Sequence, residues 1–257
     1  MWLPLSLMRR NIRLLYFVLL FNCITTWPAA HLPAQRSAAP VQLHLFNTAG
    51  GKAIAAGDSC INQYHETFTV RNFRYYLSHI QLADSTGKFY EAGEAETYLV
   101  DFTDSSSQHI TLHHQGKAWF IRFLLGVDSS KNVSGVHTGV LDPARGMYWT
   151  WNSGYVMAKL EGRSEQSTAP GRNFTYHIGG YKPQQQTARS ITLALSPAVA
   201  ASKDITLVAD ILQWFGGKEN ISIATHPICH EPGALAVSIA DNYTRMFTVQ
   251  EPVETEP

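Results

Sequence analysis

Apolar and polar residues alternate in this chain in one short run after another, and a period of two fits a strand with one buried face. In "VQLHLFN", Val41, Leu43 and Leu45 fall on one side and Gln42, His44 and Phe46 on the other. "ETFTVRNF" alternates Phe68 and Val70 and then, after polar residues, Phe73. The same reading covers "SHIQLAD", "TYLVDF", "HITLHH", "AWFIRFLLGV", "YVMAKLEG", "NFTYHIGG", "RSITLALS" and "DITLVADI". Each is rich in β-branched or aromatic residues and is bounded by Gly, Asp, Asn, Ser or Pro. Many short strands with few helical patterns predict an all-β fold: an antiparallel β-sandwich, one domain, with short helical segments. "GALAVSIADNYTRMF" reads as a short helix followed by an edge strand, and "RNFRYYLSHI" as starting with a turn of helix. No repeat and no internal linker divides the chain, so residues 41–250 are taken as one domain.

The N-terminus reads differently. Arg9, Arg10 and Arg13 precede the apolar run "LLYFVLLFNCITTW", and small residues follow it, which is the pattern of a secretory signal. The run is too short and too interrupted for a comfortable membrane span. Residues 1–30 are assigned as signal peptide, 31–40 as a flexible mature N-terminus, and 251–257, "EPVETEP", as a disordered tail. The expected location is periplasmic or secreted, with outer-membrane association if Cys23 carries a lipid. Twenty Lys and Arg balance twenty Asp and Glu, which gives no electrostatic reason to expect nucleic acid or an anionic membrane as partner.

Loss of the signal would leave Cys60 and Cys229 in an oxidising compartment, where a single disulfide is the default. Closing so long a loop is worth about 4–5 kcal/mol on the chain-entropy model. The competing reading makes either sulfur a copper ligand, aided by His226 and His230 in "THPICHEPG".

No Walker loop, GxGxxG after a strand, GxSxG, HExxH or CxxC pair is present. Histidine is the remaining chemical signal. Eleven occur, and His44, His79, His109, His113 and His177 fall on strands. Alternation turns His44 and His177 away from the main core. An isolated histidine in such a place is usually solvated or hydrogen-bonded; several on rigid strands suit copper or zinc. A second signal is "RGMYWTWNSGYVMAKLEG". On a strand, Trp149 and Trp151 would share one side and Tyr148 would face the other. Plain core accounts for either indole alone. Two of them followed by "NSG" suggest a core strand whose end borders a functional surface, with Asn152 and Ser153 as partners for indole N–H groups and Gly154 permitting a bulge.

Together "FRYYLSHIQL", "LLGVDSSKNVSGVHTGVLDPARGMYWTWNSGYVMAKLEG", "FTYHIGGY" and "IADNYTRMF" resemble the MbnP-like family of exported bacterial proteins, through residues 40 to 250. The resemblance implies a β-rich fold that binds copper. It also implies a di-haem, MauG-like (MbnH-like) partner that oxidises a tryptophan to kynurenine, the modified residue supporting copper binding. It carries the metal role to His177 and the modification to Trp149 or Trp151, leaving open which. Strand geometry adds His44 and His79 as the next candidate ligands, with His137 behind them. The function expected on this basis is copper acquisition, storage or delivery without turnover of a substrate. Two rivals stand beside it. One is a metal-independent ligand-binding or adhesion sandwich that uses Trp149, Trp151 and Tyr155 as a platform. The other is a copper oxidoreductase.

Overall fold

The structure, a computed structural model, describes residues 39–150 and 153–252. A five-stranded sheet is built on Ala39–Ala49. That strand pairs in parallel with Asp204–Asp210, and antiparallel with His109–His114 and the short Lys52–Ala53. Phe247–Val249 adds to the far side of Asp204–Asp210. A nine-stranded sheet is built on the 17-residue strand Thr67–Ala83. Val156–Ser164 pairs with its first half and Phe120–Leu125 with its second. Asn173–Gly179 and then Ile228–Cys229 extend the sheet beyond Val156–Ser164. Every pairing between these strands is antiparallel except two, Ala39–Ala49 with Asp204–Asp210 and Asn173–Gly179 with Ile228–Cys229. The all-β sandwich read from the alternation is the architecture present. The parallel pairings join segments far apart in the chain, which alternation does not encode.

Val41, Leu43 and Leu45 enter the core from one sheet, and Phe73, Tyr75, Leu77, Ile121, Phe123, Leu160 and Tyr176 from the other. Helix Ala234–Tyr243 closes the core with Ala236, Ile239, Ala240 and Tyr243, the i, i+3, i+4, i+7 stripe of one face. The strand Phe247–Val249 follows it, as the sequence suggests.

Thr67–Ala83 contains the ten residues of "RNFRYYLSHI", so the expected turn of helix there is absent. The reason lies in the phase of its apolar residues. Phe68 and Val70, then Phe73, Tyr75 and Leu77, then Ile80 and Leu82 all enter the core. Each three-residue step is a place where the pairing register shifts, one between Val70 and Asn72 and one between Ser78 and Gln81. A bulge absorbs the extra residue and lets a period-two strand stay in phase with its core. His79 occupies the second bulge with φ +52°, a backbone conformation uncommon outside glycine.

The disulfide expected between Cys60 and Cys229 does not form: both are buried free thiols. Cys60 lies on Ser59–Ile61, which pairs with Thr67–Ala83. Three strands of the sheet separate it from Ile228–Cys229, or about 19 Å at ~4.8 Å per strand, where a disulfide needs Cα atoms within about 7 Å. Burial pushes the Cys229 thiol up to about 12, and burial with Asp58 nearby raises that of Cys60, so both sulfurs carry their protons at neutral pH in the metal-free protein. The expected signal peptide and Cys23 lie outside the described residues, as do residues 253–257 of the tail. No described helix is long and apolar enough to cross a membrane.

Candidate functional site

The nine-stranded sheet has a second face, turned away from the main core. Tyr76 and Met157 point to it and pack with Val127, Leu141, Met147 and Tyr155 in a smaller apolar cluster. These partners come from the long connection between Phe120–Leu125 and Val156–Ser164. Hydrogen bonds to its backbone hold that connection on the sheet. Tyr76 Oη donates to Val140 C=O at 3.0 Å, Tyr155 Oη to Leu141 C=O at 3.0 Å, and Lys159 Nζ to Gly146 C=O at 2.5 Å.

The ring-rich stretch lies in this connection as a tight turn, not as the expected core strand. Tyr148 and Tyr155 form an isolated bridge. Trp149 N–H donates to Gly154 C=O at 3.1 Å, and Gly154 N–H to Thr150 C=O at 2.7 Å. Gly154 is the cause. Its φ is +75°, and a Cβ there would stand 2.2 Å from Asn132 Oδ1. Asn132 Oδ1 in turn accepts from Tyr155 N–H at 2.8 Å, tying the turn to helix Ser129–Val133. Trp151 and Asn152 lie outside the described residues.

Trp149 rests on Gly179, where a Cβ would come 2.7 Å from its Cζ3. Gly179 ends the strand that carries His177. Phe174, Tyr176 and Ile178 of that strand enter the core, so His177 faces outward beside the aromatic cluster, as alternation predicts. Its Nε2–H donates to Glu161 Oε1 at 2.5 Å, and Glu161 Oε2 accepts from Asn72 Nδ2 at 3.0 Å. The bond to His177 and the Asn72 amide hold the Glu161 carboxyl down at about 2, against the opposing effect of burial. The His230 ring stacks on His177 with centroids 4.5 Å apart and an interplanar angle of 28°. Burial, with His177 alongside, lowers the His230 pKa, so that ring is neutral and its lone pair available at neutral pH. His230 arrives through the parallel pairing Tyr176↔Cys229. The segment before it is fixed by buried Glu66, which accepts from Ile223 N–H, Ala224 N–H and Ser222 Oγ, each at 2.8 Å. The site is thus a strip of Asn72, Glu161, His177 and His230 along the edge of an apolar cluster that holds Trp149.

His44 and His79 are elsewhere. His44 sits on the other sheet, against His109 and Asp204. Register places His177 level with Lys159 and Arg74, five residues from His79 and two strands away. That is a separation of roughly 15–20 Å. The three histidines therefore do not converge on one ion. His79 instead groups with Glu96 and Asp128, the one cluster of three ligand-bearing side chains within 4.8 Å of one another among the described residues. Lys131 Nζ already pairs with Glu96 at 3.0 Å, and a set with two carboxylates suits harder cations than copper. His137 Nε2 is engaged at 2.9 Å by Ser134 Oγ. The partner that sequence reasoning left out of the His177 site is His230. In "THPICHEPG" the sequence offers His230, with His226, only as an aid to a cysteine-bound copper, and no local pattern shows that the segment pairs with "FTYHIGG".

Two comparisons with known proteins bear on this arrangement. A family model described as MbnP matches residues 38–231. A solved structure, "MbnP from Methylosinus trichosporium", superposes with a TM-score of 0.56 at 16% identity, covering 83% of this chain and 99% of that one, which is a likeness of fold. No curated protein sequence matches.

Proposed function

Because the chain belongs to the MbnP family, we propose that it is a copper-binding protein whose site is the outward strip around His177 and His230. The observation that carries this reading is the stacked imidazole pair beside Trp149. The donor set fits the ion. His230 is held neutral and His177 is oriented by a carboxylate, the arrangement in which an imidazole is a good metal ligand. His177 and His230 would hold the copper, and the bound ion would supply a soft centre for capture, storage or transfer. Glu161 fixes the proton of His177 on Nε2 and leaves Nδ1 to bind. The aromatic cluster excludes water from one side.

Trp149 is the described indole in position to serve the same site. Opening its C2–C3 bond with two oxygen atoms drawn from water is a four-electron oxidation that releases four protons and gives a formyl amide. Hydrolysis then releases formate and leaves kynurenine, whose aryl amine is a further nitrogen donor. A di-haem partner of the MauG type would accept these electrons two at a time and pass them to two molecules of peroxide, each reduced to water.

The test is a copper titration of protein made with and without the co-expressed partner, with intact mass recorded for each. Copper binding that weakens at least tenfold in H177A and in H230A, and a mass gain that maps to Trp149 only with the partner, are the expected results. Copper affinity unchanged in both variants would remove this strip as the site. A mass gain on Trp151 alone would move the modification there.

A further inference from the structure

The five-stranded sheet carries an imidazole pair of its own. His44 and His109 stand directly opposite each other on neighbouring antiparallel strands. Leu43, Leu45 and Ile110 enter the core, so both histidines face outward. Their Nδ1 atoms are 2.9 Å apart, with the rings edge to face at 79°. Asp204, at the start of the parallel strand on the other side of His44, places Oδ1 2.9 Å from His44 Nε2.

The proton positions follow from these contacts. An ionised carboxylate only accepts, so His44 Nε2 carries a proton and, in the neutral ring, His44 Nδ1 presents a lone pair. The Nδ1–H of His109 must then donate to it, because two lone pairs would otherwise face each other across 2.9 Å. A single proton thus bridges two nitrogen donors, and a cation that displaces it would sit off the line between them, on the open side, with a small turn of each ring to aim its lone pair. An imidazole nitrogen binds a first-row divalent ion at about 2.0 Å. Two such nitrogens stand about 2.8 Å apart on adjacent corners of a square plane, and about 3.3 Å apart on a tetrahedron. The spacing here matches the square plane.

We propose that His44 and His109 form a second metal site, independent of His177 and His230, for a tetragonal divalent ion, with Cu2+ as its preferred occupant and Asp204 as its orienting carboxylate. Copper leads zinc in the ordinary affinity order of divalent ions, and the square-planar spacing adds to that preference. Asp204 acts through His44. It keeps the proton on Nε2 and so the donor pair on Nδ1. The open outer side leaves the remaining positions to water.

The test uses Cu2+ titration followed by electron paramagnetic resonance, on the full chain and on an H177A/H230A double variant. The expected result is a tetragonal cupric signal with splitting from two nitrogens that persists in the double variant. Adding H44A or H109A to the double variant should abolish that splitting and weaken binding at least tenfold. D204N should keep the two-nitrogen pattern and bind about tenfold more weakly. Melting curves establish that each variant is folded. A signal that vanishes in H177A/H230A, or that survives H109A unchanged, overturns the proposal. Because the readout is taken in the double variant, it stands whether or not copper binds at His177.

Discussion

Glu161 sets how His177 presents itself. Its carboxylate accepts the hydrogen bond from His177 Nε2–H at 2.5 Å, so the variant E161Q keeps an acceptor but loses the charge that strengthens the bond. Copper affinity at the His177 site is expected to fall about tenfold in E161Q, measured by competition with a chelator. The same residue makes a pH prediction. Its carboxyl is lowered from an ordinary 4.5 to about 2, so its stabilising effect is complete above the ordinary value and is lost as pH falls from there towards 2. The melting temperature of E161Q should therefore depend less steeply on pH across that window than that of the unaltered protein. An equal slope in both would show that the Glu161–His177 bond contributes nothing there. At this scale the outward direction of His177 was legible, because alternation requires only its neighbours. The carboxylate and the second imidazole were not, since each comes from a different strand.

Among the elements, the turn at Trp149–Gly154 has the narrowest tolerance. An alanine at position 154 would need a positive φ and would press its Cβ onto Asn132. The cost is about 1–3 kcal/mol. Thermal melting of G154A should fall by several degrees, at about 2–4 °C per kcal/mol for a domain of this size. A melting curve identical to the unaltered protein would contradict the turn as described. The strands were legible for a physical reason. A half-buried strand writes its own two-residue period, and the two phase slips in Thr67–Ala83 mark its bulges. The ring-rich segment misled because Trp149 and Trp151 obey the same period by spacing alone. The turn comes from the backbone freedom of Gly154 and the reach of Asn132, which lies 22 residues earlier in the sequence.

At the scale of the whole molecule, the sandwich is held by its core and not by a covalent staple. Cys60 and Cys229 are free and protonated. Reducing agent should leave the melting temperature unchanged, whereas loss of a long-loop disulfide would cost about 2–5 kcal/mol. A clear drop in melting temperature under reduction would show that the thiols meet after all. Counting cysteines pointed the other way because compartment suggests oxidation but says nothing about which strands carry the sulfurs.

The strand Ala39–Ala49 lies between His109–His114 and Asp204–Asp210, and its bonds to the latter span some 160 positions of sequence. Residues as far as Asp210 must therefore be made before this strand can find both neighbours. Until then it can pair only with Lys52–Ala53 and His109–His114, its other edge keeps unmet backbone groups, and closure of the sheet waits on a contact of long sequence range.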